Sequence, residues 1–456
     1  MMRTQLLLMA PLLVTGCPDR EIARVPVEQN IVETNSFPSV PRRDIDILFV
    51  VDSSGSMEQE QESLKANFPR FISVLESIDG GLPNVHLGVI TPDLGTRALD
   101  GTAGNISGCA GSGRKGDLHG IAGGPLFLSD SDDGAGGRTR NFTGTLAERF
   151  AELADVGTMG CGIEQHLESV KMALENNPAN TGFLRPNALL AVVLIADEDD
   201  CSLAQKALFD GNTGDQAYGE RVNFRCTREG IVCERPSGSL DTLGPREDCR
   251  PNEASTMLTP ISRYADFLKS LKPDPRDIIV AGIIGDPEPF AIKTGEKGTP
   301  VVKESCTYNG TAGPQFAFPA VRMSSFLEQF PIQTRTTICD SDLSDGIAQI
   351  AAEIGRAAGN PCFISEPIDV DPATDGTQYD CTVTEVRRRG PDVPDEELRS
   401  FSECEAGGAT PCWKIESDAA KCTLTSNHLK LVIDRGSEPT PTDTHISFNC
   451  VTAGGE

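Results

Sequence analysis

Residues 46–57 read Asp46-Ile47-Leu48-Phe49-Val50-Val51-Asp52-Ser53-Ser54-Gly55-Ser56-Met57, an apolar run that breaks into a carboxylate and three serines. The run at 46–51 predicts a strand buried on both faces of a sheet. Beyond the break, Leu64, Phe68, Phe71, Ile72 and Leu75 recur close to helical spacing, which predicts a helix over 58–78. Between the two elements Asp52, Ser54 and Ser56 alternate in a tight turn, so a carboxylate and two hydroxyls can converge on one point. Hard oxygen ligands at this density suit Mg²⁺, with Ca²⁺ or Mn²⁺ as alternatives. A helix start adds donors for an anionic ligand. Taken alone, the motif reads equally as a serine-rich helix cap with nothing bound.

Working outward, the same alternation continues. Strands are predicted at 85–91, 189–196 (LLAVVLIA), 277–284 and 335–339, and helices at 146–153, 163–174, 257–271, 321–330 and 343–358. Strands alternating with helices predict a doubly wound α/β sheet. In such sheets ligands bind outside the carboxyl ends of strands, at the point where the strand order reverses. A glycine-rich stretch at 95–137 and a cysteine-rich one at 201–249 lack this rhythm and read as insertions. Residues 361–456 carry six cysteines and short β-type runs, and read as a small, disulfide-rich, mainly β module.

A buried strand running into Asp52-x-Ser54-x-Ser56 at a helix start resembles the von Willebrand factor A (vWA) family, whose metal-ion-dependent adhesion site (MIDAS) begins with this motif. The resemblance implies a Rossmann-like vWA domain over residues 44–360, with insertions near 95–145 and 200–255. It also implies a threonine in a later loop ahead of a helix, and an acidic residue after a further buried strand. Thr158 in Leu153-Ala154-Asp155-Val156-Gly157-Thr158-Met159-Gly160 matches the first, and Asp197, directly after LLAVVLIA, the second. Where the family has Asp followed by Gly, this sequence continues Glu198-Asp199-Asp200, so Asp199 stays open as an alternative to Asp197. By this resemblance Asp52, Ser54, Ser56, Thr158 and Asp197 hold the ion directly or through water. One position is left for a Glu or Asp carboxylate of a protein partner, and the site binds rather than turns over. Hydroxyl ligands leave the ion's charge poorly neutralised and attractive to a carboxylate. The acidic run at 197–200 would repel weak anions.

The composition agrees with an exported binding protein. Acidic residues number 67 against 40 basic ones, a net charge of −27, which argues against a nucleic-acid partner. Residues 1–17, MMRTQLLLMAPLLVTGC, pair a short basic start with an apolar stretch too short for a bilayer core of ~30 Å. They resemble a bacterial lipoprotein signal peptide, which implies cleavage after residue 16 and a lipid on Cys17. Residues 17–43 then read as a tether, with the lipid as the only membrane attachment. Exposure at the bacterial envelope follows, periplasmic or surface-facing, with the outer membrane favoured over the inner. Fourteen cysteines remain, an even number without any C-x-x-C pair, and they predict up to seven disulfides rather than a zinc site.

Other chemistry finds little footing. No G-x-S-x-G or H-E-x-x-H occurs, and the five histidines are scattered, so no enzyme activity is expected. Asp130, Asp132 and Asp133, and the series Asp369, Asp371, Asp375 and Asp380, read as solvated acidic loops rather than Ca²⁺ loops. Two functions remain. One is a metal-dependent, adhesion-type protein-binding lipoprotein. The other is an envelope scaffold in which ion and disulfides only stabilise the fold, since binding to the native state stabilises it in either case.

Overall fold

The computed structural model describes residues 31–452, apart from 79, 107–108, 110–112, 211–218, 220–223, 312, 375, 391–392, 406 and 424. The segment read as a signal sequence, Cys17 and the first residues of the expected tether lie outside the described residues. In chain order the elements are β1 (Ile31–Pro38), β2 (Asp44–Val51), α1 (Glu58–Glu76), β3 (Asn84–Ile90), β4 (Leu128–Asp132), β5 (Arg138–Arg140), α2 (Leu146–Leu153), α3 (His166–Leu174) and β6 (Leu189–Ala196). Next come α4 (Phe224–Gly230), β7 (Ile231–Arg235), β8 (Gly244–Pro251), α5 (Ile261–Ser270), β9 (Ile278–Ile284), β10 (Phe290–Thr294), β11 (Pro300–Val302), β12 (Cys306–Gly310) and β13 (Gly313–Ala317). The series ends with α6 (Val321–Leu327), β14 (Ile332–Thr337), α7 (Ser344–Ala358), β15 (Cys381–Arg387), β16 (Glu396–Phe401), β17 (Cys412–Ser417), β18 (Leu429–Asp434) and β19 (His445–Thr452).

The fold is mixed α/β. Seven strands form one mixed sheet in the order β14-β9-β6-β2-β3-β4-β5. The first five run parallel, and β4 and β5 turn back antiparallel at one edge. Strands β2 and β6 are buried on both faces because helices cover both. Ile45, Ile47, Phe49 and Val51 pack in one core with residues of α1, α2 and α7. Leu48 and Val50 pack in another with residues of α3, α5 and α6. Phe49 anchors the first core, with ring centroids 6.0, 5.4 and 4.7 Å from Phe68, Phe71 and Phe150. Such aromatic clusters contribute beyond their buried area. Chain order reverses at β2, because β3 lies on one side of it and β6 on the other. The crevice at the carboxyl ends of β2 and β6 is therefore the place where this architecture accepts ligands.

Strands β7 and β8 of the second insertion join β10 and β11 in a smaller antiparallel sheet, β11-β10-β8-β7, and β12-β13 forms a hairpin. Strands β10 to β13 come from a segment between β9 and α6 that the sequence reading did not mark as an insertion. The C-terminal residues form two more, β1-β19-β15-β16 and β17-β18, around Phe37, Phe363, Trp413, Leu431 and Phe448. Here the structure departs from the sequence reading, because residues 31–38 are not tether. They pair in register with β19 from Ile31↔Thr452 to Pro38↔His445. Glu33 forms an ion pair with Arg356 of α7 at 3.1 Å. Of this strand's described side chains few are apolar and inward, so its ladder rather than its pattern stabilises it. Asp130 also differs. It is buried, not solvated, and pairs with Arg138 and, at 2.8 Å, with Arg140.

The fourteen cysteines form seven disulfides. Three cross-link the C-terminal sheets (Cys362–Cys422, Cys381–Cys450, Cys404–Cys412), and one joins β7 to β8 (Cys233–Cys249). The other three, Cys109–Cys161, Cys201–Cys226 and Cys306–Cys339, tie insertion loops to the carboxyl-end face of the large sheet. Among the described residues, no helix is long and apolar enough to cross a membrane.

Candidate metal centre

Where β2 ends, the Asp52 amide donates to the carbonyl of Ile195 on β6 at 3.0 Å, so the two strand ends are stitched together. Asp52 is fully buried, and its Oδ1 accepts the Ser54 amide at 2.7 Å. That turn sets the hydroxyls of Ser54 and Ser56 3.0 Å apart. Ser54 is buried and Ser56 half-buried. Gln61 on the first turn of α1 locks a second loop to this one. Its side-chain amide donates to the Asp52 carbonyl at 2.8 Å and to the Gly157 carbonyl at 3.0 Å. The Gly160 amide donates to the Ser53 carbonyl at 2.8 Å. Thr158, half-buried between these anchors, is thus held against the Asp52 turn.

Gly160 has a specific reason to be glycine. A Cβ there would crowd the Ser53 hydroxyl and lie 2.8 Å from the Ser53 carbonyl oxygen. Gly160→Ala must lift the Thr158 loop off its seat, costing about 1–3 kcal/mol and about tenfold or more in divalent-ion affinity. Titration calorimetry checks this; wild-type affinity in the variant would remove the seating argument.

The acidic run after β6 divides into different tasks. Asp199 accepts the backbone amides of Arg322 (2.8 Å) and Met323 (3.0 Å) at the start of α6. Burial, only partly offset by those donors and Arg322, pushes its carboxyl up to about 6. Asp200 accepts the Leu167 amide at the start of α3 (2.9 Å) and pairs with the buried Arg322 at 3.0 Å. Both therefore serve helix starts. Asp197 is buried with its Oδ1 unpartnered, and its own carbonyl accepts the Phe318 amide at 2.8 Å.

Two further carboxylates enter the site that the sequence reading did not nominate. Asp52, Glu164 and Glu198 each bring one oxygen within 4.8 Å of the other two. Glu164 is buried in the loop ahead of α3, where its carbonyl accepts the Cys201 amide at 2.7 Å. Asp52 Oδ2, Glu164 Oε1, Asp197 Oδ1 and Glu198 Oε2 are all buried without a hydrogen-bond partner. The electrostatic result is mutual. Burial and then Asp197 push Asp52 up to about 8. Burial, Asp52 and Asp197 push Glu164 well above the carboxylate range, and burial, Asp197 and Glu164 do the same to Glu198. Buried charges of one sign need protons or a cation to balance them. An all-oxygen set of carboxylates and hydroxyls fits a hard divalent ion.

Two of the histidines stand apart from this chemistry. His86 bonds the Phe183 carbonyl (2.8 Å), and His119, in the glycine-rich insertion, bonds the Leu153 carbonyl (2.9 Å). Asp369 of the second acidic series accepts the Asp371 amide (3.0 Å), while Asp375 lies outside the described residues.

No family model matches the sequence, and no curated protein matches it. Among solved structures, proximal thread matrix protein 1 from the mussel byssus is similar over 68% of this chain and 49% of its own, at 13% identity and a TM-score of 0.28. The chain thus spans about half the length of that protein, and a likeness at this level carries no argument about fold or function.

Proposed function

We propose that the chain is an exported, non-enzymatic binding protein of the vWA type that recognises a protein partner through a divalent ion, Mg²⁺ or Ca²⁺, at the crevice between β2 and β6. The observation that carries this reading is the set of buried, unpartnered carboxylate oxygens of Asp52, Asp197 and Glu164 beside the Ser54 and Ser56 hydroxyls. Asp52, Ser54, Ser56, Thr158 and Asp197 would hold the ion. When bound, it supplies a positive point to which a partner's Glu or Asp can attach. The chain's own residues do the rest: Gln61 and Gly160 fix the two loops, while Asp199 and Asp200 hold the neighbouring helix starts.

The rim suits a protein. Met159, beside Thr158, is 96% exposed, and Phe316 on the β12-β13 hairpin is 42% exposed. Apolar side chains this open beside a candidate site are what a partner's surface covers. Anchoring by a lipid on Cys17 would place the protein at the bacterial envelope. The scaffold reading draws its support from the three disulfides that already brace the same face.

The test uses the oxidised full chain as bait for envelope extract, with Mg²⁺, with EDTA, and as Asp52→Ala, each checked by circular dichroism. The expected result is one partner retained only with Mg²⁺ and intact Asp52. Equal capture in all three folded samples would place binding elsewhere, and no capture at all would favour the scaffold.

A further inference from the structure

The unassigned carboxylates do more than add charge, and they differ in their freedom to move. Glu164 is 3% exposed, and its backbone is pinned on both sides, by the bridge between Asp93 and Glu164 and by the Cys201 amide. Glu198 is half-buried, with its carboxyl against that of Asp197 and the residues before and after it fastened, so any movement at this position belongs to its side chain. Asp197 is held through its carbonyl by Phe318, and Asp199 through its carboxylate by α6. Both glutamates reach the same small space as Asp52. An ion seated there meets three carboxylates of this chain, Asp52, Glu164 and Glu198, with Asp197 near enough to act on all three electrostatically. They more than neutralise a divalent charge, and an incoming carboxylate is repelled unless one of them leaves.

Resting on the divalent-ion reading above, we propose that Glu164 is a permanent further ligand and that Glu198 occupies the coordination position a partner's carboxylate would take, so that partner binding requires Glu198 to swing out. Glu198 is then a built-in competitor. It keeps the ion closed toward free carboxylates, and only a partner that also gains contacts on the rim displaces it. The apparent affinity for a simple carboxylate is lowered by the fraction of time Glu198 is in place.

Europium(III), a hard oxygen-seeking ion, can report the number of waters on it through its luminescence lifetimes in H₂O and D₂O. The oxidised full chain is loaded with Eu³⁺ as wild type, Glu198→Gln, Glu164→Gln and Asp52→Ala, folds are compared by circular dichroism, and acetate is added as the probe carboxylate. Glu198→Gln is expected to gain about one bound water and to lose it to acetate at about tenfold lower concentration than wild type. Glu164→Gln is expected to weaken Eu³⁺ uptake about tenfold while leaving the acetate response as in wild type. A loaded Glu198→Gln with the wild-type water count and acetate response overturns the role of Glu198 while the metal reading stands. Wild type that takes up Eu³⁺ no better than Asp52→Ala overturns the metal reading and this inference with it.

Discussion

Stripped of divalent ions, the protein loses the stability contributed by the Asp52 proton as pH rises from about 4 to about 8, and Asp52→Asn removes that share of the pH dependence. The direction follows from proton counting. Unfolded, Asp52 titrates at its ordinary 3.8; folded, burial and Asp197 raise it to about 8. Between those values the native state holds a proton that the unfolded state has released. The stabilisation is therefore complete below the unfolded value and is lost as pH passes through the folded one. A displacement of this size in a fully buried group is on the order of 5 kcal/mol. Divalent ions reverse the trend: their uptake expels the shared protons, so affinity climbs with pH through the same range. Thermal melts in EDTA from pH 5 to 8.5, repeated with Mg²⁺, read both effects. A wild-type melting profile that Asp52→Asn leaves unchanged in EDTA would mean that Asp52 carries no such proton.

Asp200→Ala is expected to cost about 3–5 kcal/mol, the range for stranding one member of a buried ion pair. Arg322 is 1% exposed, and its guanidinium pairs with Asp200 at 3.0 Å and donates to the Thr259 carbonyl at 2.7 Å. The same carboxylate accepts the Ser202 hydroxyl at 2.6 Å and the Leu167 amide at 2.9 Å. Alanine therefore leaves a buried cation without its counter-charge and an α3 amide without its acceptor. Asp200→Asn keeps acceptor capacity but not the charge, and should lie between the two. Urea unfolding under oxidising conditions measures the difference; a loss below about 1 kcal/mol in Asp200→Ala would show that Arg322 relaxes to water.

Much of the large sheet was legible because its strands are sequence-local signals. LLAVVLIA is buried at all eight positions, and such a run admits little but a strand covered on both faces. The helix after Asp52 was visible in the spacing of Leu64, Phe68, Phe71, Ile72 and Leu75, which are all buried. What was not legible depends on distant partners. Glu164 looked like part of a helix over 163–174, but that helix begins at His166. The turn ahead of it is fixed by Cys161 and by the amide of Cys201. The two glycines flanking Cys161 were the available hint that the chain bends there. Glu198, Asp199 and Asp200 look alike in one dimension. Only the placement of α3 and α6 makes two of them helix-start acceptors and turns the other toward Asp52. Likewise β1 has no strand rhythm of its own, and its partner lies more than 400 residues away.

That strand also determines how the molecule would bear tension. A pull directed along β1 from its Ile31 end would load a strand whose eight residues pair with β19 in unbroken register. Sliding it out strains its rungs together instead of peeling them one at a time. Cys450 lies on β19 and is joined to Cys381 of β15, so the strand that takes the strain is itself covalently fastened to its neighbour. The force therefore passes into the cross-linked C-terminal sheets, which join the large-sheet domain through residues 39–43, the grip of Glu33 on Arg356 and the ion pairs Arg276–Asp395 and Arg388–Asp277. Tension between this strand and a bound partner would load the cross-linked sheets in series with the loops that hold the ion, so the fastened ladder sets how much pull the anchored side can bear.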